Sequence, residues 1–442
     1  MGRLEFFHRT REPERSNPAP RGPGPGLEVV REKLGGNIIK DGQASIMEVG
    51  CILPASHIHG KASLGQLLGV DLSALKVLFP ALAGEPAQEL CLEDLVFFDI
   101  ETTGLSTGAG TYVFLVGLLR FHGQEVHLKQ YFLNNLSSER LFLEVLTQGL
   151  NADRVLVSYN GKCFDYPLVK NRCILNGFSP DRSDPQHLDL LYPSRRIWKG
   201  IFSDFCLQTV EKMALGVNRW EDIPGYLVPE IYFQYLQHQD VTEKLLGVFR
   251  HNKTDVLSLA ALLLKQLHLI NSEINGQRNG QPKEVYGTPD ISGAPGISRE
   301  YNPLSVSDML LCSNYRSEAK SILDRHNQNT DALKRLALIF KREGSFGNAL
   351  VYMEAMAQKA GRLSEFIFAC TEIAKIYEHR LKNLQKALSY TERAWQRVRR
   401  MEVMWELDTH MLKKYKQELE KRLNRLKKRV QAAVLSPDEN SG

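Results

Sequence analysis

The chain has 442 residues, 43% of them hydrophobic and 24% charged, with a formal net charge of +5 at pH 7. This length predicts two or three domains rather than one compact core. The composition is that of an ordinary soluble globular protein, and the mildly basic charge permits nucleic-acid binding without arguing for it, because a local patch matters more than the total.

The seven cysteines are scattered along the chain, and none forms a C-x-x-C pair. Neither a zinc site nor a disulfide framework is therefore indicated, and reduced thiols fit a cytoplasmic location. The N-terminal segment has no apolar stretch of signal-peptide length, and no other segment approaches the roughly 20 apolar residues of a membrane span. We expect a cytoplasmic protein that does not bind membranes.

The first part of the chain leads into an alternation of strands and helices. Residues 1–26 are charged and rich in Pro and Gly, which predicts a disordered arm, and residues 27–93 predict a lead-in that packs on the domain after it. Residues 94–270 form the first predicted domain. Within it the patterns predict strands at 95–101, 111–121, 125–133, 154–160 and 187–192, and helices at 137–150, 165–177, 205–216, 229–237 and 241–268. Hairpin strands and then helical crossovers predict an α/β fold with a mixed sheet and flanking helices.

The remainder is predicted to be helical. Residues 271–303 are polar and rich in turn residues, which predicts a linker, and residues 304–435 predict an all-α domain before a tail at 436–442. Similar segments begin at Ala337 and Ala374, an offset close to the roughly 34-residue period of tetratricopeptide helix pairs. Degenerate repeats and an unrelated helical bundle are both compatible with this pattern.

The last helix is basic: residues 413–429 hold nine Lys and Arg against two Glu. Such a helix is most often a solvated face, and a nucleic-acid contact is the alternative.

Acidic residues recur at three places that the predicted fold can bring together. Asp99 and Glu101 end an apolar strand and, being two residues apart, point to one face. Asp165 begins a helix directly after a strand, where an N-cap is the alternative role. His251 and Asp255 are four residues apart on a helix and so lie on one face, where a surface His–Asp pair is the alternative.

Together these residues predict a site for two divalent cations. Hard ions such as Mg²⁺ or Mn²⁺ prefer oxygen ligands, and two of them can activate water and stabilise the leaving group in phosphodiester hydrolysis. His251 is the predicted general base. Asn160 and Lys162 can contact a phosphate, although an Asx turn and a solvated lysine are the simpler interpretations. The glycine-rich loop at 104–111 permits close approach of a terminal nucleotide, and Tyr112 and Phe164 are candidates for base stacking, with core packing the safer interpretation.

These motifs, in this order, resemble the DEDD superfamily of 3′→5′ exonucleases on the RNase H-like fold, and within it the YprB-like family. The segments that carry the resemblance are FFDIETTGL (97–105), YNGKCFDYPLV (159–169), HLDLLYPSRRIW (187–198), DIPG (222–225) with PEIYFQYL (229–236), and HNKTDVLSLA (251–260). The resemblance covers about 90–270, and the tetratricopeptide-like helices also fit such proteins.

The resemblance implies roles for individual residues. Asp99, Glu101, Asp165 and Asp255 match the four metal-binding acids. His251 stands four residues before the last acid, the spacing of the branch that uses tyrosine, whereas the histidine branch places its base five before. Asp189 fits a family motif as a supporting residue. The residues expected to contact the nucleic acid are Thr102, Thr103, Gly104, Leu105, Asn160 and Lys162.

The expected function is therefore a metal-dependent 3′→5′ exonuclease that uses two Mg²⁺ or Mn²⁺ ions on single-stranded RNA or DNA. One alternative is a nucleic-acid-binding module with weak or no nuclease activity. Another is an adaptor that binds a protein partner through its C-terminal helical repeats, an interaction that deletion of residues 304–442 would abolish.

Overall fold

The chain folds into two compact units. The computed structural model describes residues 27–84, 90–104, 110–150, 155–178, 184–276, 300–404 and 409–435. The first unit takes in Met1–Leu72, Pro86–Ser194 and Asp204–His268, and the second takes in Ser73–Glu85, Arg195–Ser203 and Leu269–Gly442. The predicted arm (1–26), most of the predicted linker (271–303) and the predicted tail (436–442) lie outside the described residues.

The first unit is built on a mixed sheet of seven strands, and a separate two-stranded hairpin accompanies it. The strands are β1 Asn37–Asp41, β2 Ala44–Pro54, β3 Ile58–His59, β4 Ala62–Ser63, β5 Leu95–Thr102, β6 Val113–His122, β7 Glu125–Phe132, β8 Val155–Ser158 and β9 His187–Asp189. The order in the large sheet is β1-β2-β7-β6-β5-β8-β9. Neighbours from β1 to β5 are antiparallel, whereas β5, β8 and β9 run parallel. This confirms the predicted RNase H-like mixed sheet with flanking helices, followed by an all-helical region.

The helices pack on both the sheet and one another. Their bounds are α1 Leu27–Leu34, α2 Leu75–Leu78, α3 Glu139–Gly149, α4 Asp165–Leu175, α5 Leu191–Ile197, α6 Leu207–Val210, α7 Val228–Leu236, α8 Thr242–Asn275, α9 Pro303–Cys312, α10 Arg316–Arg325, α11 Thr330–Arg342, α12 Phe346–Lys359, α13 Leu363–His379, α14 Leu384–Met404 and α15 Thr409–Leu435. Among the described residues, none of these helices combines the length and the apolar character that crossing a membrane requires.

The centre of the sheet is covered on both faces, which explains why β5 and β6 are apolar almost throughout. Phe97 and Phe98 of β5 are fully buried. Phe114 of β6 stacks on Tyr232 of α7 with 4.0 Å between ring centroids. The core that holds β5 in place is thus aromatic, and it leaves the carboxyl end of this strand in a fixed position.

Two segments differ in detail from the sequence patterns. The predicted lead-in contributes β1 and β2, which extend the same sheet as β5. The strand predicted at 187–192 ends at Asp189, because the Asp189 carboxylate accepts a hydrogen bond from the Leu191 N–H at 3.0 Å and so starts α5.

The second unit is helical. Its longer helices pack in sequence: α11 against α12, α13 against α14, and α14 against α15. Short side chains such as Ala337, Ala349 and Ala374 are fully buried between them, which allows close helix approach. The assignment of these helix pairs to tetratricopeptide repeats stays a prediction.

Candidate active site

The end of β5 carries the first two acids. Asp99 and Glu101 are partly buried, and they alternate with buried Ile100 and Thr102 as the strand period requires. Asn252 of α8 donates from Nδ2 to Asp99 Oδ2 at 2.9 Å, which fixes the direction of that carboxylate.

A glycine on the neighbouring strand lets α8 approach this point. Gly117 of β6 pairs with Asp99, and a Cβ built there would lie 2.4 Å from Asn252 Oδ1 and 2.7 Å from Val256 Cγ2. Asn252 Oδ1 in turn accepts a hydrogen bond from Gln130 Nε2 at 2.9 Å. Residue 117 must therefore lack a side chain for Asn252 to reach Asp99.

Asp165 is the first residue of α4 and is 8% exposed. The preceding turn packs closely against it, since a Cβ on Gly161 would lie 2.7 Å from Asp165 Oδ2 and 2.5 Å from Ser158 Oγ. The turn is tied down by Asp189, whose Oδ1 accepts the Asn160 N–H at 2.8 Å and whose Oδ2 accepts the Lys162 N–H at 3.2 Å. Asp189 thus supports the loop that leads to Asp165, the supporting role implied by the sequence.

The third group comes from α8. The His251 imidazole points its Nε2 toward Asp255 Oδ2 at 3.7 Å, and its Nδ1 lies 2.9 and 3.0 Å from the two Asp222 oxygens. Because Nδ1 is occupied by a carboxylate, Nε2 is the nitrogen that faces the acids.

The Arg219 guanidinium contacts three of the acids around His251. Arg219 donates from Nε and Nη2 to the Glu211 carboxylate at 2.8 and 2.6 Å, and from Nη1 to Asp222 at 2.9 Å. Its Nη2 also forms an ion pair with Asp255 Oδ1. The Arg219 side chain is only 10% exposed, and Glu211 is 1% exposed. Asp255 is therefore held between a histidine and an arginine.

The acids raise one another's pKa values. Burial, followed by the charges of Asp255, Glu101 and Asp165, raises the pKa of Asp99 well above its ordinary value. Burial raises the pKa of Glu101 to about 8 despite the favourable charge of His251, and burial with the charge of Asp189 and Asp255 raises that of Asp165 to about 7. The carboxylates predicted to act together thus lie within electrostatic range of one another.

His251 shows the complementary effect. Burial alone would lower its pKa, but the hydrogen bond to Asp222 and the charges of Asp255 and Glu101 raise the pKa to about 9. The acids of the centre consequently carry more negative charge than Arg219 and protonated His251 compensate, a condition that favours an added cation.

The donor set fits hard divalent cations, because it consists of carboxylate oxygens. Within the described ranges, however, no three His, Cys, Asp or Glu side chains already stand close enough to hold a metal ion. The ion pair with Arg219 and the hydrogen bond from Asn252 each hold one acid in its present direction, and mutual repulsion acts against closer approach. A cation would have to draw the four acids together.

The residues predicted to contact nucleic acid follow the first acids and precede Asp165. Thr102 donates to the Gly104 carbonyl at 2.7 Å, and Thr103 Oγ1 accepts the Tyr112 N–H at 2.9 Å, which closes the base of the glycine-rich loop. Leu105 lies outside the described residues. The side chains of Asn160 and Lys162 are exposed, and Asn160 has a left-handed backbone with φ +64.

The aromatic side chains named from the sequence, Tyr112 and Phe164, fit the safer interpretation, core packing, better than base stacking. Tyr112 packs beneath Arg172, whose guanidinium carbon is 4.1 Å from the ring centroid, and Phe164 is half-buried. Trp220 and Tyr226 are instead 88% and 79% exposed. Both lie on the segment that supplies Arg219 and Asp222 to the centre.

Sequence reasoning missed four members of the centre: Glu211, Arg219, Asp222 and Asn252. Asp222 belongs to the DIPG segment and Asn252 to the HNKTD segment, so the motifs marked the right places without assigning these two side chains. The only signal for Arg219 is its distance of three residues from Asp222, which is common in ordinary turns.

Three comparisons relate this chain to known proteins. A family model described as RNase_H superfamily matches residues 96–266. The uncharacterized protein YprB of Bacillus subtilis (strain 168) is 33% identical over 359 residues, which is 81% of each chain. Crystalline E. coli exonuclease I in complex with a 5cy-dA13 oligonucleotide is 15% identical with a TM-score of 0.26, over 42% of this chain and 44% of the other.

Proposed function

Because this chain belongs to the family of YprB and carries an RNase H superfamily domain, we propose that it is a metal-dependent 3′→5′ exonuclease acting on single-stranded nucleic acid. The membership in the RNase H superfamily supports a nuclease-like activity. The 3′→5′ direction of degradation, the use of two Mg²⁺ or Mn²⁺ ions and the roles of single residues are part of the proposal.

One observation carries it: four carboxylates from three different elements lie within electrostatic range of one another in a partly buried centre. They are Asp99 and Glu101 of β5, Asp165 of α4 and Asp255 of α8, and their charges raise one another's pKa values. Four mutually repelling acids destabilise a fold unless a cation or another positive group compensates them. Arg219 compensates Asp255 but reaches none of the other three through a described hydrogen bond or ion pair.

In the proposed mechanism, these four acids would hold the cations, which when bound supply a polarised water and neutralise the phosphoryl oxygens. His251 would take the proton of the attacking water at Nε2, since Nδ1 is held by Asp222. The charges of Asp255 and Glu101, which help to raise the pKa of His251 to about 9, would first have to be offset by bound cations. Asp222 thereby orients the imidazole, and Arg219 fixes both Asp222 and Asp255. Asn252 keeps the Asp99 carboxylate directed into the centre.

The single strand would enter beside the 219–226 segment. Backbone contacts from Thr102, Thr103 and Gly104 and side-chain contacts from Asn160 and Lys162 would receive the terminal nucleotide. Trp220 and Tyr226 offer exposed rings on which bases can stack, an interaction worth roughly 1–3 kcal/mol per base. They replace Tyr112 and Phe164 as our candidates for stacking.

Hydrolysis of 3′- and 5′-labelled single-stranded RNA and DNA tests the proposal. We expect stepwise shortening from the 3′ end with Mn²⁺ or Mg²⁺, and no shortening in EDTA or with Asp99→Ala/Glu101→Ala. The matched control is Glu32→Ala/Asp41→Ala, which removes two exposed acids and should leave the rate unchanged. Absence of cleavage by the wild type on both polymers, with cation binding intact, would overturn the proposal.

A nucleic-acid-binding module with a weak site is the second candidate. It is favoured by the ion pair between Arg219 and Asp255, which occupies one acid of the set. In that case the wild type binds labelled oligonucleotides but does not shorten them. An adaptor role of the helical unit remains a third proposal, and loss of a protein partner on deletion of residues 304–442 would identify it.

A further inference from the structure

The positive charge of the chain is concentrated in its last two helices. Residues 384–435 hold fourteen Lys and Arg against six Asp and Glu, which gives a net charge of +8. The whole chain carries +5, so the rest of it carries −3. The mildly basic total therefore conceals a strongly basic hairpin attached to a slightly acidic remainder.

The basic residues of α15 share one side of that helix. Lys414, Lys421 and Lys428 recur every seven residues, which places them on one line at intervals of about 10.5 Å. Arg425 and Arg429 fall beside this line, and all five side chains are exposed. We call these five residues the basic face of α15. The opposite side of the helix buries Leu419, Leu423 and Leu426.

The arginines of this face are held in place by a buried carboxylate. Glu378 of α13 is 1% exposed, and it accepts hydrogen bonds from Arg422 at 3.2 Å, Arg425 at 2.8 Å and Arg429 at 2.7 Å. The Arg425 and Arg429 side chains remain 51% and 47% exposed. Three guanidinium groups around one carboxylate leave a fixed excess of two positive charges. Arginines arranged in this way are preorganised for an anion with several oxygens, such as a phosphate.

The lysines of the face form no ion pair with an acid of the described residues, although the exposed Glu418 lies on the same side of α15, four residues after Lys414 and three before Lys421. The acids of this hairpin that form ion pairs use other partners: Glu402 pairs with Lys416, and Glu392 with Lys427. In the described part of the chain, no carboxylate pairs with Lys414, Lys421 or Lys428. A helix whose surface only needs to be solvated gains nothing from such like-charge crowding, which costs free energy along one helix face.

From these observations we propose that the basic face of α15 binds the phosphate backbone of single-stranded RNA or DNA, as a second nucleic-acid site separate from the acidic centre. The even spacing of cations matches a linear polyanion, and the contacts carry no base specificity. This inference goes beyond the proposed nuclease activity and does not depend on it, because binding can be measured without hydrolysis.

The test is fluorescence anisotropy of 5′-fluorescein-labelled 20-nucleotide oligo-uridylate and oligo-deoxythymidylate, with the full chain in EDTA. We expect the variant Lys414→Glu/Lys421→Glu/Lys428→Glu to raise the Kd at least about tenfold at 50 mM salt. It should also reduce the magnitude of the slope of log K against log salt concentration by about 2, because each of three lost phosphate contacts contributes about 0.7. The control Lys40→Glu/Lys76→Glu/Lys244→Glu makes the same change in net charge at exposed lysines elsewhere and should bind nearly as the wild type.

Circular dichroism and thermal unfolding establish that the variants fold, and the triple Lys→Gln variant replaces the triple Glu variant if the latter does not. Equal loss of affinity in the test and control variants would overturn the inference, since it would show only a long-range effect of net charge. Failure of the wild type to bind either oligonucleotide would also overturn it, and would point to an acidic protein as the occupant of this face. If the wild type binds the oligonucleotides in EDTA but does not hydrolyse them in Mn²⁺ or Mg²⁺, the result would count against the nuclease proposal alone.

Discussion

Replacement of Gly117 by alanine tests how the acidic centre is assembled. A Cβ at this position would meet Asn252 Oδ1 at 2.4 Å and Val256 Cγ2 at 2.7 Å, so α8 must move away from β6 or Asn252 must change its rotamer. Overpacking of this kind costs about 1–3 kcal/mol, whereas the lower entropy of the unfolded alanine chain returns only about 0.4–1 kcal/mol. We expect a net loss of about 1–2 kcal/mol.

The assay compares urea unfolding and Mn²⁺ affinity in Gly117→Ala with those in Gly50→Ala. Gly50 also lies on a strand of the sheet, but a Cβ there meets nothing within 4 Å, so this control should be as stable as the wild type or slightly more stable. For a unit of this size, a loss of 2 kcal/mol corresponds to a decrease in Tm of roughly 4–8 °C. Because Asn252 directs Asp99, weaker Mn²⁺ binding should accompany the loss. Equal stability and equal Mn²⁺ affinity in the two variants would refute the close packing of Asn252 as the organiser of the centre.

Three further predictions concern charged and titratable groups. Asp165→Asn should stabilise the protein in EDTA by roughly 0.5–2 kcal/mol, because it removes one repelled acid, and should abolish the increase in Tm that Mn²⁺ causes; a variant less stable than the wild type in EDTA would contradict this. Burial, followed by the charge of Lys162, lowers the pKa of His187 to about 4. As the pH falls below about 6.5, the unfolded state therefore binds a proton that the folded state does not, and the wild type loses stability until the pH nears 4. Between pH 7 and pH 5, His187→Gln should lose about 2 kcal/mol less free energy of unfolding than the wild type, as measured in urea, and an unchanged pH dependence would count against this prediction. Arg172→Met should cost about 3–5 kcal/mol in urea unfolding, since it leaves the 7%-exposed Glu139 carboxylate without its bidentate partner, and Glu139→Gln/Arg172→Met should recover most of that loss.

The parts of the fold that sequence patterns predicted are those with a strong period. The apolar run of β5 ends in two acids at the strand period, and α8 carries its histidine and last acid at the helical period of four. These local rules place side chains on one face without knowledge of any partner. The lead-in at 27–93 lacked such a period because Gly and Pro interrupt it, and its strands β1 and β2 form only by pairing with the distant β7.

The arginine at the centre could not be predicted from the sequence, for a related reason. Arg219 lies on an irregular segment after α6, and its role depends on Asp255, 36 residues later, and on Glu211, eight residues earlier. Nothing local distinguishes it from a solvated arginine in a turn. The same holds for Asn252, whose amide could be assigned only once β5 and β6 were placed beneath α8.

The hydrogen bond between Asn252 and Asp99 joins residues 153 positions apart. Nearly the whole first unit must therefore be synthesised, and its sheet and α8 docked, before the first and last acids of the proposed cation site come together. Loop closure over such a separation is a late and slow event in folding. Cation affinity gained during refolding would for this reason report completion of the whole unit, and a chain interrupted before α8 would show sheet structure without acquiring that affinity.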